Sequence, residues 1–99
     1  MCVYKVRLEW DDNKRVSTIA ARNLDFADVA LVDWNDALTI EDRRVDYAEA
    51  RFVTMAPIKG RLCVFAWCQR DDALRIISLR KANDRERSRY EKALHQPRR

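Results

Sequence analysis

The sequence predicts a small α+β domain in which two N-terminal helices and one C-terminal helix pack on an antiparallel sheet of three to four strands. Three observations carry this expectation. First, the runs Arg51–Ile58, Arg61–Arg70 and Ala73–Arg80 are rich in β-branched, aromatic or aliphatic residues, and two-residue turn candidates, Lys59-Gly60 and Asp71-Asp72, separate them. Second, helix-start signals flank these runs, at Asp11 and Asp25 before them and at Asn83 with Glu86 after them. Third, 99 residues that are 47% hydrophobic and 36% charged suffice for one core and are too few for two, so the expectation is a single domain over residues 1–99.

From the N-terminus, residues 2–10 read as a strand. Val3, Lys5, Arg7 and Glu9 alternate there with Tyr4, Val6, Leu8 and Trp10. Asp11 then N-caps a helix with Val16, Ile19, Ala20 and Leu24 at helical spacing, ending near Asn23, a residue that tolerates the left-handed conformation. Asp25 N-caps a second helix with Phe26, Val29 and Ala30 on one stripe, and Leu24 and Val29 hold the two positions of a hydrophobic staple. From Asp33 to Glu49 the pattern weakens and reads mostly as loop, with a short strand at Ala37–Ile40. The three strong runs follow as a meander, with Pro57 expected near a strand end where no ladder bond is needed. Asn83 and Glu86 form a capping-box signature ahead of Tyr90, Ala93 and Leu94, so a terminal helix is expected, with His95–Arg99 as a frayed tail.

Charge and composition narrow the function. Residues 1–74 hold 11 Lys and Arg against 13 Asp and Glu, whereas residues 75–99 hold 9 against 3, so the net charge of +4 is concentrated at the C-terminal end. A basic surface of this kind suits phosphate, and nucleic acid is the first partner it suggests. No window approaches the length of an apolar membrane span, and the opening MCVYKVRLEW has no secretion pattern, so a cytoplasmic protein with no membrane partner is expected. Cys2, Cys63 and Cys68 form no Cys-x-x-Cys pair, and Cys63 and Cys68, five apart on a strand, project to opposite faces. They read as packing residues, and no metal site or cofactor is expected.

The sole histidine, His95, lies on the expected tail, which excludes a paired-histidine ribonuclease and any histidine-dependent triad. Gly60 is the sole glycine, which excludes glycine-rich phosphate loops. Arginine remains. Arg51 opens one strand, Arg22 lies in the first helix, and Arg75 and Arg80, five apart on a regular strand, are expected on opposite faces. Guanidinium groups clamp a scissile phosphate and stabilise the charge growing on it, while the RNA 2′-hydroxyl supplies the nucleophile. Glu49, Glu86 and Tyr90 are the alternatives for the proton acceptor.

One string is specific. RIISLRKANDRERSRYEKAL, residues 75–94, resembles the C-terminal signature of the BrnT toxin family, with its R-I-I-S, R-K-A and R-E-R-x-x-Y-E segments. Upstream, Leu8-Glu9-Trp10-Asp11 is similar to that family's F-x-W-D, Asp25-Phe26-Ala27-Asp28 to its S-F-E-D, and Ala48-Glu49-Ala50-Arg51-Phe52 to its E-x-R-[WF]. The resemblance implies a RelE-like fold and a bacterial type II toxin: an RNA-cleaving inhibitor of translation held inactive by a BrnA-like, DNA-binding antitoxin, as a dimer or a toxin–antitoxin hetero-oligomer. It carries over Glu49, Arg51, Arg75, Arg80 and Tyr90 as catalytic residues. Arg85, Arg87 and Arg89 come over as RNA contacts, to which Arg22 and Lys81 are added as basic candidates. The chain departs from the family at Ala21-Arg22-Asn23-Leu24, where K-H-G-V is usual, so a toxin-like module that binds antitoxin or RNA without cleaving is the alternative expectation.

Overall fold

The computed structural model describes residues 7–44 and 48–95. The first five residues of the expected opening strand and most of the expected tail lie outside that range. In chain order the elements are β1 (Arg7–Glu9), α1 (Asp12–Arg22), 3₁₀ helices over Phe26–Leu31 and Trp34–Asp36, β2 (Leu38–Asp42), β3 (Arg51–Ile58), β4 (Arg61–Arg70), β5 (Ala73–Lys81) and α2 (Asp84–His95). The sheet has five strands in the order β1-β5-β4-β3-β2, rather than three to four. β1 runs parallel to β5 and the other pairs are antiparallel.

The meander forms where its turns permit it. Lys59 and Gly60 take φ of 53° and 77°, the left-handed pair that matches strand twist in a two-residue hairpin closed by Ile58 and Arg61. Gly60 is needed for this φ and not for space, because a Cβ there meets nothing within 4 Å. In the turn between β4 and β5, Asp71 takes the left-handed conformation at φ 54° and Asp72 does not. Pro57 pairs with Leu62 beyond Met55, where β2 has already ended, so its missing N–H costs no ladder bond.

One face of the sheet carries Ala56, Ile58, Cys63, Phe65, Leu74, Ile76 and Leu79, and Phe26 and Val29 of the first 3₁₀ segment, with Val32 just after it, cover that face. Phe26 and Phe65 are almost wholly buried, and truncating either to alanine costs about 3–5 kcal/mol. Asp25 caps this segment by accepting from Ala27 N, as expected, yet the expected α-helix is a 3₁₀ helix. Thr54, the one buried polar side chain among the described residues, accepts from Trp67 Nε1 at 2.8 Å and shares a 2.8 Å hydroxyl contact with Thr39.

α1 departs most from the sequence pattern. Its apolar stripe is not buried: Val16 is 66% exposed and Ile19 39%, and the helix has no buried residue. Polar contacts hold it instead. Asp11 caps its first turn, Asn23 closes it at φ 56°, and Arg15 grips Asp25 through two bonds of 2.7 and 2.9 Å. Lys14 Nζ and Arg22 Nη1 reach the carbonyls of Ile77 and Leu79, two residues apart on β5 beyond the end of β1. Side chains of α1 thus close a strand edge that would otherwise be open to pairing.

On the other face, α2 seats Tyr90 against Met55, Val64 and Ala82, with Leu38, Val53 and Leu62 around them. The capping box forms as the sequence predicts: Asn83 N donates to Glu86 Oε1 at 3.0 Å and Glu86 N to Asn83 Oδ1 at 2.8 Å. The helix runs through His95, which therefore belongs to α2 and not to a tail.

Candidate active site

α2 covers one end of its face. At the other end a single row crosses all five strands through consecutive register pairs: Glu9 on β1 beside Arg75 on β5, then Cys68 on β4, Arg51 on β3 and Asp42 on β2. Neighbouring strands are about 4.8 Å apart, so two arginines stand on either side of one buried cysteine. Arg51 and Arg75 are half-buried, and Cys68 is 2% exposed.

A β-bulge brings a third arginine to the same face. Ala66 pairs with Ser78 while the next β4 residue, Trp67, pairs with Ile76, so Ile77 is an extra residue in β5. Arg75 opposite Cys68 and Arg80 opposite Val64 therefore share a face, since Cys68 and Val64 are four apart on a regular strand. The expectation of opposite faces is corrected, because it assumed strict alternation through Ile77. Cys63 and Cys68, with no bulge between them, do point to opposite faces.

The loop before β3 brings Glu49 over this row. Cys68 Sγ donates to Glu49 Oε1 at 3.2 Å, and Arg70 Nη2 lies 3.7 Å from the same oxygen. At the β1 end, Arg75 Nη1 is 3.5 Å from Glu9 Oε1, and Arg7 contacts both Glu9 and Asp72, at 3.7 and 3.1 Å. At the β2 end, Arg44 holds Asp42 at 2.9 Å. Burial, and then the bond to Glu49, push the Cys68 thiol above its ordinary pKa.

The remaining sequence candidates separate by position. Arg80 forms two 2.7 Å bonds with Glu86, which is also the capping-box residue of α2. The Arg80 guanidinium holds the Glu86 carboxyl down to about 2, against the opposing pull of burial, so Glu86 stays ionised and is a poor proton acceptor at neutral pH. Tyr90 is buried and donates its hydroxyl to the Asp36 carbonyl, with burial raising its pKa. Arg22 is committed to the edge of β5. Lys81, Arg85, Arg87 and Arg89 are exposed, and Arg87 lies 3.6 Å from Asp84. Arg85, Arg89 and Lys92 line a shallow groove on the outer side of α2.

The structure thus gathers Arg51, Arg75 and Glu49, and it adds Glu9, Cys68 and Arg70, which sequence reasoning did not select. Glu9 was legible as a member of the alternating first strand, but its partner strand was not. Nothing in the spacing marked Cys68 as other than a packing residue. Among the described residues no group of three or more His, Cys, Asp or Glu side chains is placed to hold a metal ion, and no helix is long and apolar enough to cross a membrane.

No curated protein matches the chain. A solved structure does: the crystal structure of the Brucella abortus ribonuclease toxin BrnT is 26% identical, with a TM-score of 0.64, over 81% of this chain and 100% of that one. The family model described as the ribonuclease toxin BrnT of type II toxin–antitoxin systems matches residues 10–86, which take in α1, the row from Asp42 to Arg75 and the Arg80–Glu86 pair. The chain belongs to the BrnT family of type II toxin–antitoxin toxins.

Proposed function

We propose that this chain is an endoribonuclease whose reaction centre is the Arg51–Cys68–Arg75 row with Glu49 above it. The observation that carries the reading is that placement, in which a carboxylate lies over the middle of a row whose two arginines flank Cys68. Arg51 and Arg75 hold the scissile phosphate and stabilise the charge that grows on its oxygens. Glu49 accepts the proton of the ribose 2′-hydroxyl. The 2′-oxygen bonds to phosphorus, the bond to the 5′-oxygen breaks, and that oxygen takes a proton from water. The products are a 2′,3′-cyclic phosphate and a 5′-hydroxyl, and the step calls on no cofactor.

The geometry favours Glu49 over Tyr90 and Glu86, whose polar atoms are engaged in holding α2 to the sheet. Arg80 belongs with them, as the strut between β5 and α2. Arg85, Arg87, Arg89 and Lys81 supply longer-range attraction for RNA. An antitoxin partner is implied by the family. We take that partner to be BrnA-like and DNA-binding, the compartment to be the cytoplasm, where translation is inhibited, and the meander backed by a terminal helix to be RelE-like.

The test is induced expression of the wild-type chain, Arg51→Ala and Arg75→Ala in a bacterium lacking the antitoxin, with RNA 5′ ends mapped. Growth arrest and new ends in the wild type, lost in both variants, support the reading. A second reading, a toxin-like module that binds without cleaving, draws on the ion pairs Arg75–Glu9 and Arg70–Glu49 and on the commitment of Arg22 to Leu79 O. Soluble wild-type protein that binds RNA and yields no new ends decides for it.

A further inference from the structure

Glu49 lies in the loop that leads into β3, and loop residues do not by themselves hold a carboxylate at a defined place. Its contacts among the described residues are therefore informative. Both fall on Oε1: the Cys68 thiol at 3.2 Å and, more loosely, Arg70 at 3.7 Å. Arg70 is a long side chain, 54% exposed, near the turn at the end of β4. Cys68 is its opposite, a short side chain on an inner strand, 2% exposed, with β3 on one side and β5 on the other. The rigid contact of the two is the thiol.

We propose that Cys68 is the positioning residue of this site: its S–H, donated to Oε1, anchors the Glu49 carboxylate between Arg51 and Arg75 and leaves Oε2 to face the ribose 2′-hydroxyl. The inference rests on the ribonuclease reading above and adds a residue to it. A thiol suits the task because it is small enough to pack as an apolar group between two arginine-bearing strands while still offering an S–H to the carboxylate. Cys68 touches no reacting atom, so its substitution is expected to change the rate of the chemical step and not the affinity for RNA.

The experiment compares Cys68→Ser, which keeps a donor, with Cys68→Val, which is apolar and somewhat larger and removes it. Each variant is assayed for single-turnover cleavage of a short single-stranded RNA at saturating enzyme, for affinity toward the same oligonucleotide with 2′-deoxyribose at the cleaved position, and for thermal melting. Cys68→Val is expected to cleave on the order of 10- to 100-fold more slowly with unchanged affinity. Cys68→Ser is expected to recover most of that rate. Cleavage by Cys68→Val at the wild-type rate overturns the proposal. So does a rate loss in Cys68→Ser as large as that in Cys68→Val. Should Cys68→Val not fold, Cys68→Ser decides alone, because a wild-type melting temperature with a rate more than 10-fold down counts against a donor role. Glu49→Gln is run alongside: if it cleaves like the wild type, the assignment of Glu49 as base fails with the proposal, whereas a slow Glu49→Gln beside a fast Cys68→Val sinks the positioning role alone.

Discussion

Arg75 and Arg80 share one face of β5 although they are five positions apart, because Ile77 is an extra residue in the ladder with β4. The shared face does not give them a shared partner. Arg75 meets Glu9 at 3.5 Å through one nitrogen, whereas Arg80 is locked to Glu86 by two bonds of 2.7 Å. Arg75→Ala is expected to slow cleavage about 10²- to 10³-fold and leave melting nearly unchanged. Arg80→Ala is expected to lower stability by about 1 kcal/mol, or roughly 4–8 °C in melting temperature, as the anchor of α2 loosens. Calorimetry and a cleavage assay on both variants separate the two roles, and a stable, inactive Arg80→Ala reverses the assignment.

The Glu86 carboxyl sets a pH limit. Its pKa falls from the usual 4.5 to about 2 in the folded chain, so the stabilisation from its pair with Arg80 is complete above pH 4.5 and fades as pH falls toward 2. Arg80 is 43% exposed, so solvent screening reduces the contribution to about 1 kcal/mol. Urea midpoints measured from pH 6 to pH 2 should fall more steeply for the wild type than for Glu86→Gln. Parallel curves would show that the pair contributes nothing.

Tyr90 separates a structural hydroxyl from a chemical one. Its O–H is donated to the Asp36 carbonyl, tying α2 to the segment that leads into β2. Tyr90→Phe is expected to lose about 1 kcal/mol of stability and keep cleavage within about threefold of the wild type. A folded Tyr90→Phe that does not cleave would place the hydroxyl in the reaction.

Thr54 is wholly buried and takes the indole N–H of Trp67 at 2.8 Å. Thr54→Val preserves shape and strands that donor, at a cost of about 1–3 kcal/mol in a denaturant titration. Thr54→Ser, which restores the acceptor, should recover part of the loss.

Arg85 and Arg89 are exposed on α2, and under the proposed function they act on RNA through charge. Each alanine substitution is expected to reduce the slope of log affinity against log salt by about 0.7 for single-stranded RNA. Unchanged slopes would remove α2 from the RNA path.

The sequence resolved what local chemistry decides. The bounds of β3 and β4 follow from their apolar runs and from turns at Lys59-Gly60 and Asp71-Asp72. The capping residues Asp11, Asn23, Asp25 and Asn83 stand where side-chain chemistry places them. It did not resolve what depends on distant pairing. β1 has three described residues and is a strand through its parallel neighbour β5, and β2 extends to Asp42 because Arg51 and Phe52 give Asp42 and Glu41 partners. The bulge at Ile77 leaves no trace in an apolar string, since Ile76 and Ile77 read alike in either register. α1 misled because its apolar spacing is real while the core it would cover is already filled by Phe26, Val29 and Val32. Of the site, the arginines and Glu49 were legible as residue types, whereas Cys68 gains its place from β3 and β5 alone.

The row that joins Glu9, Arg75, Cys68, Arg51 and Asp42 draws one residue from each strand, and its neighbours Glu9 and Arg75 are 66 residues apart in the chain. Such a row has no precursor. No hairpin contains it, no proteolytic fragment ending before β5 carries both arginines, and during synthesis it is complete only after the last strand has left the ribosome and found β1. A nascent or clipped chain that lacks β5 therefore presents scattered charges, and the two guanidinium groups come to either side of Cys68 once β3, β4 and β5 have paired.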